Sequence, residues 1–368
     1  MPHAMNGYGD GRPKRLFLFT YPRTASHLTM KMLSLDRQPE LKYWPPETGE
    51  YFFLAALGMQ ERLGQWHKVG HTVTDEDKES CMAVYQSCAN NMASFIQKAE
   101  AANKRFYIKE HVNFIKNPVA RSTMVDAKNY TVKYSPWTVS ICGYPPTAQS
   151  PLNETLFPDD FLLTLDPMFL VRHPALAFES LYRNWTELQS TVGGEAEVSK
   201  NIMESLVSIR PVRNLYDFYK RHFEAKGDSM WPVVIDANDI IQNPEVLREY
   251  CETIGLETSR IVSEWEAYDV PDYEDSFTTE AQKQMLATVA GSRGIVKDKA
   301  PTDINIDVEA EGWRNKFGEE AGAMIERWVR DAMPDYEYMR STRSGLAKSY
   351  AYEPSASVSG AKGSTEQD

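Results

Sequence analysis

Cysteine is scarce in this chain: four residues in 368 (Cys81, Cys88, Cys142 and Cys251), with no CxxC pair or other metal or redox spacing. That usage excludes a disulfide scaffold and makes a reducing compartment the expectation. His67 and His71 stand four apart, but Gly70 lies between them and no third ligand is near, so no metal is expected. Long apolar runs are missing too, since none approaches the ~20 residues that span a bilayer. Residues 1–14 are polar and Gly-rich, and the apolar residues 16–19 behind them are too few for a secretory signal. Positive charge is in deficit. A net charge of −12 at pH 7 argues against broad surfaces for nucleic acid or anionic lipid, leaving room only for a local basic pocket. The loop G-x-x-x-x-G-K-[ST] occurs nowhere, which removes much of the support for a nucleoside triphosphatase or an ordinary P-loop kinase. Three N-x-Thr sequons, at Asn129, Asn153 and Asn184, are about what chance supplies. The expectation is a cytoplasmic protein with no membrane or nucleic-acid partner.

What the chain does have is core-forming material: 42% hydrophobic and 11% aromatic residues. Short apolar runs alternate with helical patterns, the signature of an α/β fold around a mainly parallel sheet. Buried strands are expected at residues 16–20, 106–109, 168–172 and 233–236. Helices are expected at 27–35, 177–189 and 244–254, the last opening with Asn243-Pro244 and closing at Gly255. Residues 1–14 read as a flexible N-terminus, 15–340 as a single domain, and the Ser-, Gly- and Ala-rich 341–368 as a disordered tail. Within the domain, 117–160 is broken by Pro and Gly and reads as a lid or acceptor-binding segment.

The most informative stretch follows the first strand. After Thr20-Tyr21-Pro22 come the short or polar Arg23, Thr24, Ala25 and Ser26, then an amphipathic helix beginning at His27-Leu28. Backbone N–H groups at such a turn, with a helix N-terminus behind them, form a natural phosphate site. Arg23 adds a charged donor, and Thr24 and Ser26 add hydroxyls. The plainer alternative is that Thr24 and Ser26 only cap the helix.

The stretch Thr20-Tyr-Pro-Arg-Thr-Ala-Ser-His-Leu28 resembles the 5′-phosphosulfate loop T-Y-P-K-S-G-T-T-W of the sulfotransferases that use 3′-phosphoadenosine 5′-phosphosulfate (PAPS). Further similarities follow in the same order. Lys109-Glu110-His111 resembles the K-T-H segment, and Arg172 with Ser180 eight residues on resembles the 3′-phosphate motif. Residues 233–244 are similar to a strand followed by Y-E-D-x-x-x-N-P. Asp275-Ser276-Phe277 stands where T-S-F is expected, Ser292-Arg293-Gly294 resembles R-K-G, and residues 312–317 are similar to G-D-W-K-N-x-F.

The resemblance implies a three-layer sandwich, the P-loop NTPase-like sulfotransferase fold, with PAPS as donor and no metal. It implies His111 as base, with Lys109 and Arg23 at the sulfuryl end. Residues 23–28 would hold the 5′-phosphosulfate: Arg23, Thr24, Ala25, Ser26, His27 and Leu28. Arg172 and Ser180, closed over by Arg293 and Gly294, would hold the 3′-phosphate, and Ser276 and Phe277 would meet the nucleotide. Several positions depart from the pattern. Arg23 replaces Lys, Ala25 replaces Gly, His27 replaces Thr, Leu28 replaces an adenine-stacking Trp, and Ala237 replaces an adenine-side Tyr. The expected reaction is sulfuryl transfer to a hydroxyl or amine of a small apolar or aromatic acceptor, recognised by aromatic residues of 117–161. Two alternatives stay open: sulfation that assists elimination or cyclisation, and a non-catalytic nucleotide-binding protein that retains the fold.

Overall fold

The computed structural model describes residues 14–44, 51–54, 56, 74–118, 137–147, 149–192, 203–270, 272 and 276–343. Five strands, β1 (Arg15–Thr20), β2 (Leu41–Tyr43), β3 (Arg105–His111), β4 (Asp166–Val171) and β5 (Val233–Asp236), form one sheet in the order β2-β3-β1-β4-β5. Every pairing is parallel. A parallel sheet covered on both faces needs strands that are apolar throughout, which is why Leu16-Phe17-Leu18-Phe19 reads as an unbroken run.

Alternation along the strands sorts these residues into two cores. Phe17, Phe19, Phe106, Ile108 and Phe169 face one side. It is covered by α2 (Asp75–Ala101), α3 (Pro174–Val192), α4 (Arg210–Ala225) and α9 (Glu319–Ser341). Leu16, Leu18, Tyr107, Met168 and Leu170 face the other side. There they meet α1 (Ser26–Leu33), α5 (Ala237–Gln242) and α6 (Glu245–Ile254). The helices α7 (Ser276–Gly291) and α8 (Ile306–Phe317) follow, and short helical turns lie at Leu35–Arg37, Asp159–Leu162, Thr258–Arg260 and Lys297–Lys299. Each fully buried Phe or Leu contributes roughly 1.5–3 kcal/mol relative to exposure, so the two faces hold the sandwich together. No described helix is long and apolar enough to cross a membrane.

The four expected strands and three expected helices are present within a few residues. Gly255 closes α6 at φ 68, a left-handed conformation that glycine adopts without strain. The edge strand β2, the 27-residue α2 and the helices α4, α5, α7, α8 and α9 lie outside those expectations. Residues 119–136 of the expected lid and 344–368 of the expected tail lie outside the described residues, as do His67 and His71.

The order of the strands positions the site. The chain leaves β1 toward β3 on one side and later reaches β4 on the other, so the connections diverge at β1. In open α/β sheets, a crevice forms at the carboxyl ends of strands flanking such a switch point. Thr20 ends β1, His111 ends β3, and Arg172 follows β4. The β1–β3 register sets Thr20 directly beside His111.

Candidate active site

The turn between β1 and α1 is built from residues in unusual backbone conformations. Arg23 and Ala25 both have positive φ, at 69° and 59°. For residues with a Cβ this costs roughly 1–2 kcal/mol each, a cost usually tolerated where function demands the shape. Ala25 therefore takes the conformation that glycine would adopt freely. It is also the N-cap of α1 and makes no side-chain capping bond. Thr24 does not cap the helix either. Its buried hydroxyl donates to the Tyr21 carbonyl at 3.1 Å, so it stiffens the turn and does not face the cavity beside it.

That cavity has a volume of about 380 Å³ and is lined by Arg23, Ala25, Ser26, His27 and Leu28 on one side and by His111 beyond them. Arg172, Ser180 and Gly294 line it as well. Nine of the residues read as site candidates thus converge on one space. The size suits a nucleotide-sized ligand.

At its inner end the cavity meets a buried polar cluster. His111, 6% exposed, is hydrogen-bonded through Nδ1 to the Thr20 hydroxyl. Its Nε2 lies 2.9 Å from the hydroxyl of Tyr51, which is also 3.4 Å from Ser26 Oγ and from His27 Nε2. Lys109 sits behind the turn with Nζ 3.3 Å from His27 Nδ1 and 4.3 Å from the Tyr51 ring centroid. Lys109 and His111 share one face of β3 because alternate residues of a strand do. Glu110 faces the other way. Its Oε1 accepts the backbone N–H groups of Phe52 and of Phe53, the latter at 3.1 Å, so it adds no charge to the cluster. Burial pushes its carboxyl up to about 8, which keeps it protonated at neutral pH.

The outer end is cationic. Arg23 donates from Nε to Ser180 Oγ at 3.0 Å and from Nη1 to the Met285 carbonyl at 2.8 Å. Arg172 donates to the carbonyls of Arg23 and Lys299, at 3.0 and 2.6 Å. The Tyr21 hydroxyl accepts the Arg172 N–H at 2.9 Å and fixes the end of β4 against the end of β1. Among the described residues, neither Arg23 nor Arg172 forms a hydrogen bond or ion pair with a carboxylate. Two carboxylates do line the cavity, Glu179 and Asp298, but Glu179 is taken by Arg183 at 3.1 Å and Lys316 at 2.6 Å. Burial, then the neighbouring Arg172 and Arg183, push the Arg23 guanidinium down to about 10. Half-buried cations on neutral oxygens have the chemistry to receive an anion.

Arg23, expected at the sulfuryl end, hydrogen-bonds Ser180 of the expected 3′-phosphate site, so the two expected anion sites adjoin. Arg293 is exposed and is not part of the cavity wall, and its backbone carbonyl accepts the Trp265 N–H at 3.1 Å. Lys299, not singled out in the sequence, lines the cavity there. Gly294 does line it, but its smallness answers first to packing: a Cβ at this position would lie 2.9 Å from the Ser263 carbonyl oxygen. Ser276 and Phe277 form the start of α7, and their side chains lie outside the description. Ala237 is buried in the core.

The aromatic residues expected to meet an acceptor also fall elsewhere. Trp137 and Phe157 are buried in the core, Tyr144 packs 6.1 Å from the Phe161 ring, and none of the three lines the cavity. Tyr130 and Tyr134 lie outside the described residues. The apolar wall comes from Leu176, Leu181, Trp185 and Leu188 of α3, with Met285 and Val289 of α7.

Fold and site together define a parallel α/β protein with a cation-lined, nucleotide-sized cavity beside a buried histidine. No family model matches the chain. Curated relatives do. Sulfotransferase ppzF of Metarhizium rileyi is 36% identical over 340 residues, covering 90% of this chain and 97% of its own. Sulfotransferase ppzF of Metarhizium majus is 35% identical over the same coverage. A solved structure titled Sulfotransferase Domain from the Curacin Biosynthetic Pathway aligns over 86% of this chain and 98% of its own, at a TM-score of 0.35 and 13% identity. That likeness is too loose to inform the site. The chain belongs to the sulfotransferase family.

Proposed function

We propose that this sulfotransferase takes its sulfuryl group from PAPS and passes it to a hydroxyl or amine of a small, largely apolar acceptor. The observation that carries the reading is that Arg23 and Arg172, among the described residues, hydrogen-bond neutral atoms and no carboxylate, in the cavity that His111 also lines. A bisphosphorylated nucleotide supplies the anions these guanidiniums lack, and the walls from α3 and α7 supply an apolar seat for the acceptor.

In this reading, Arg172 and Ser180 bind the 3′-phosphate. The amides at the start of α1 and the Arg23 guanidinium bind the phosphosulfate end. As the S–O bond to the nucleotide breaks, negative charge grows on the departing phosphate oxygen, where Arg23 stabilises it. His111 receives the acceptor proton. With Nδ1–H donated to Thr20, the lone pair of Nε2 faces the cavity, the tautomer a base requires.

Thermal unfolding with adenosine 3′,5′-bisphosphate tests the nucleotide reading. The midpoint should rise steadily with ligand concentration well above Kd. A midpoint that stays fixed at millimolar bisphosphate would sink it. Mass spectrometry of acceptors incubated with PAPS then separates transfer, which adds a sulfuryl group, from sulfation-assisted elimination, which leaves a desaturated product.

A further inference from the structure

The Tyr51 hydroxyl occupies the place from which an acceptor would address the base. It lies 2.9 Å from His111 Nε2, and both residues line the cavity. The ring is held from three sides: 4.5 Å from the His111 ring, 5.4 Å from Phe114 and 4.3 Å from the Lys109 ammonium. The backbone just beyond it is fixed by Glu110, which accepts the N–H groups of Phe52 and Phe53. A buried carboxyl devoted to two consecutive amides makes a rigid anchor, and the residue it positions is the one touching the base.

We infer that Tyr51 is a catalytic proton relay between acceptor and His111, and that Glu110 is its positioning residue. The inference rests on the reading of His111 as the base. With Nδ1–H donated to Thr20, Nε2 accepts the Tyr51 hydroxyl proton, and the Tyr51 oxygen, also 3.4 Å from Ser26 Oγ and His27 Nε2, accepts the acceptor O–H. During transfer, the sulfur–oxygen bond to the nucleotide phosphate breaks and its electron pair leaves with the phosphate. A new bond forms between sulfur and the acceptor oxygen. The acceptor proton passes to the Tyr51 oxygen as the original Tyr51 proton passes to His111 Nε2. Tyr51 ends neutral and His111 ends protonated, so nothing beyond PAPS and the acceptor is consumed. The neighbouring Lys109 ammonium disfavours loss of charge balance in the relay by stabilising negative charge on the phenolic oxygen as it develops.

The test follows conversion of PAPS to adenosine 3′,5′-bisphosphate by the full chain, with 2-naphthol as acceptor and with water alone. Tyr51→Phe keeps the ring and its packing but removes the relay. Its kcat should fall about 100-fold, within the range for a lost general acid–base step, with bisphosphate affinity changed less than about twofold. A variant as active as the wild type overturns the relay, because Tyr51 would then only fill the acceptor's place. Loss of affinity and thermal stability in parallel with the rate also overturns it, as the mark of a packing role. Glu110→Ala should cost about tenfold in kcat alone, and nothing further when added to Tyr51→Phe, because it acts through Tyr51. Additive losses would refute the positioning role. If the wild type converts PAPS in neither condition, the functional reading itself fails, an outcome distinct from an active wild type with an unaffected Tyr51→Phe.

Discussion

The two ends of the cavity are built on opposite principles. At the inner end the hydrogen-bonding groups around His111 answer one another: Thr20, Tyr51, His27, Ser26 and Lys109 form a closed polar cluster on the ends of β1 and β3. At the outer end, among the described residues, Arg23 and Arg172 hydrogen-bond a serine hydroxyl and main-chain carbonyls and no carboxylate, although Glu179 stands nearby. A satisfied network keeps its geometry whether or not ligand is present, as proton transfer requires. Cations on neutral partners give up little when an anion arrives, as binding requires. On the proposed reading, proton transfer belongs to the inner end, and nucleotide binding with the departing phosphate's charge belongs to the outer end.

The strongest way to break this division is to exchange the symptoms. His111→Ala should lower the rate of PAPS conversion by about 10²–10⁴, the usual contribution of a general base, with bisphosphate binding by titration calorimetry nearly unchanged. If affinity fell instead, His111 would belong to the binding end. Arg172→Ala should do the reverse. Removing charge-assisted bonds worth roughly 1.5–3 kcal/mol weakens bisphosphate binding by about 10–100-fold. Unchanged affinity would remove Arg172 from the nucleotide site.

A smaller effect sharpens the account of the inner end. Burial raises the Glu110 carboxyl from its ordinary 4.5 to about 8. Between these values the unfolded chain has lost the proton and the folded chain keeps it, so stability falls as pH rises through the window. The slope approaches ~1.4 kcal/mol per pH unit at most. Glu110→Gln keeps a neutral acceptor for the Phe52 and Phe53 amides and removes the slope. Its urea midpoint relative to wild type should therefore increase from pH 5 to pH 8. His173, held neutral by burial down to about 4, tilts stability the opposite way below 6.5, and comparison at matched pH cancels it. Parallel curves for the two proteins would show that Glu110 is ionised in the fold.

Legibility in the sequence followed the same division of physical causes. Strands buried on both faces announce themselves as apolar runs, and the turn after β1 declares its function by its short polar residues. The long α2 was legible and passed over. Thr74 and Asp77 form its capping box, and Cys81, Tyr85, Cys88, Met92, Phe95 and Ala99 recur at helical spacing along its buried face. β2, at three residues, is too short to carry a period. The direction of Arg23 could not be read, because it depends on a positive φ that arginine rarely adopts and on acceptors 157 and 262 residues away. Tyr51 was hidden for a similar reason: nothing local marks it, and its ties to the strand that carries His111 come from Glu110 and His111, some sixty residues on. Aromatic content marks burial in general, and the core holds Trp137 and Phe157 of the segment expected to meet an acceptor.

The turn that joins the two ends offers the mildest test. Ala25 holds φ 59 between Arg23, which reaches outward to Ser180, and Ser26, which faces Tyr51. Ala25→Gly relieves roughly 1–2 kcal/mol of left-handed strain. It also gives back about 0.5–1 kcal/mol through the greater freedom of glycine in the unfolded chain. The Ala25 methyl packs partly against the core on the α1 side, and losing it costs up to ~0.8 kcal/mol more. The balance is a change in unfolding free energy from about −0.8 to about +1.5 kcal/mol, centred slightly in favour of glycine, measured by urea denaturation. A loss greater than about 1 kcal/mol would mean that packing, not backbone strain, fixes the turn. In that case alanine would be the better residue there, because it holds Arg23 against Ser180 while leaving Ser26 beside Tyr51.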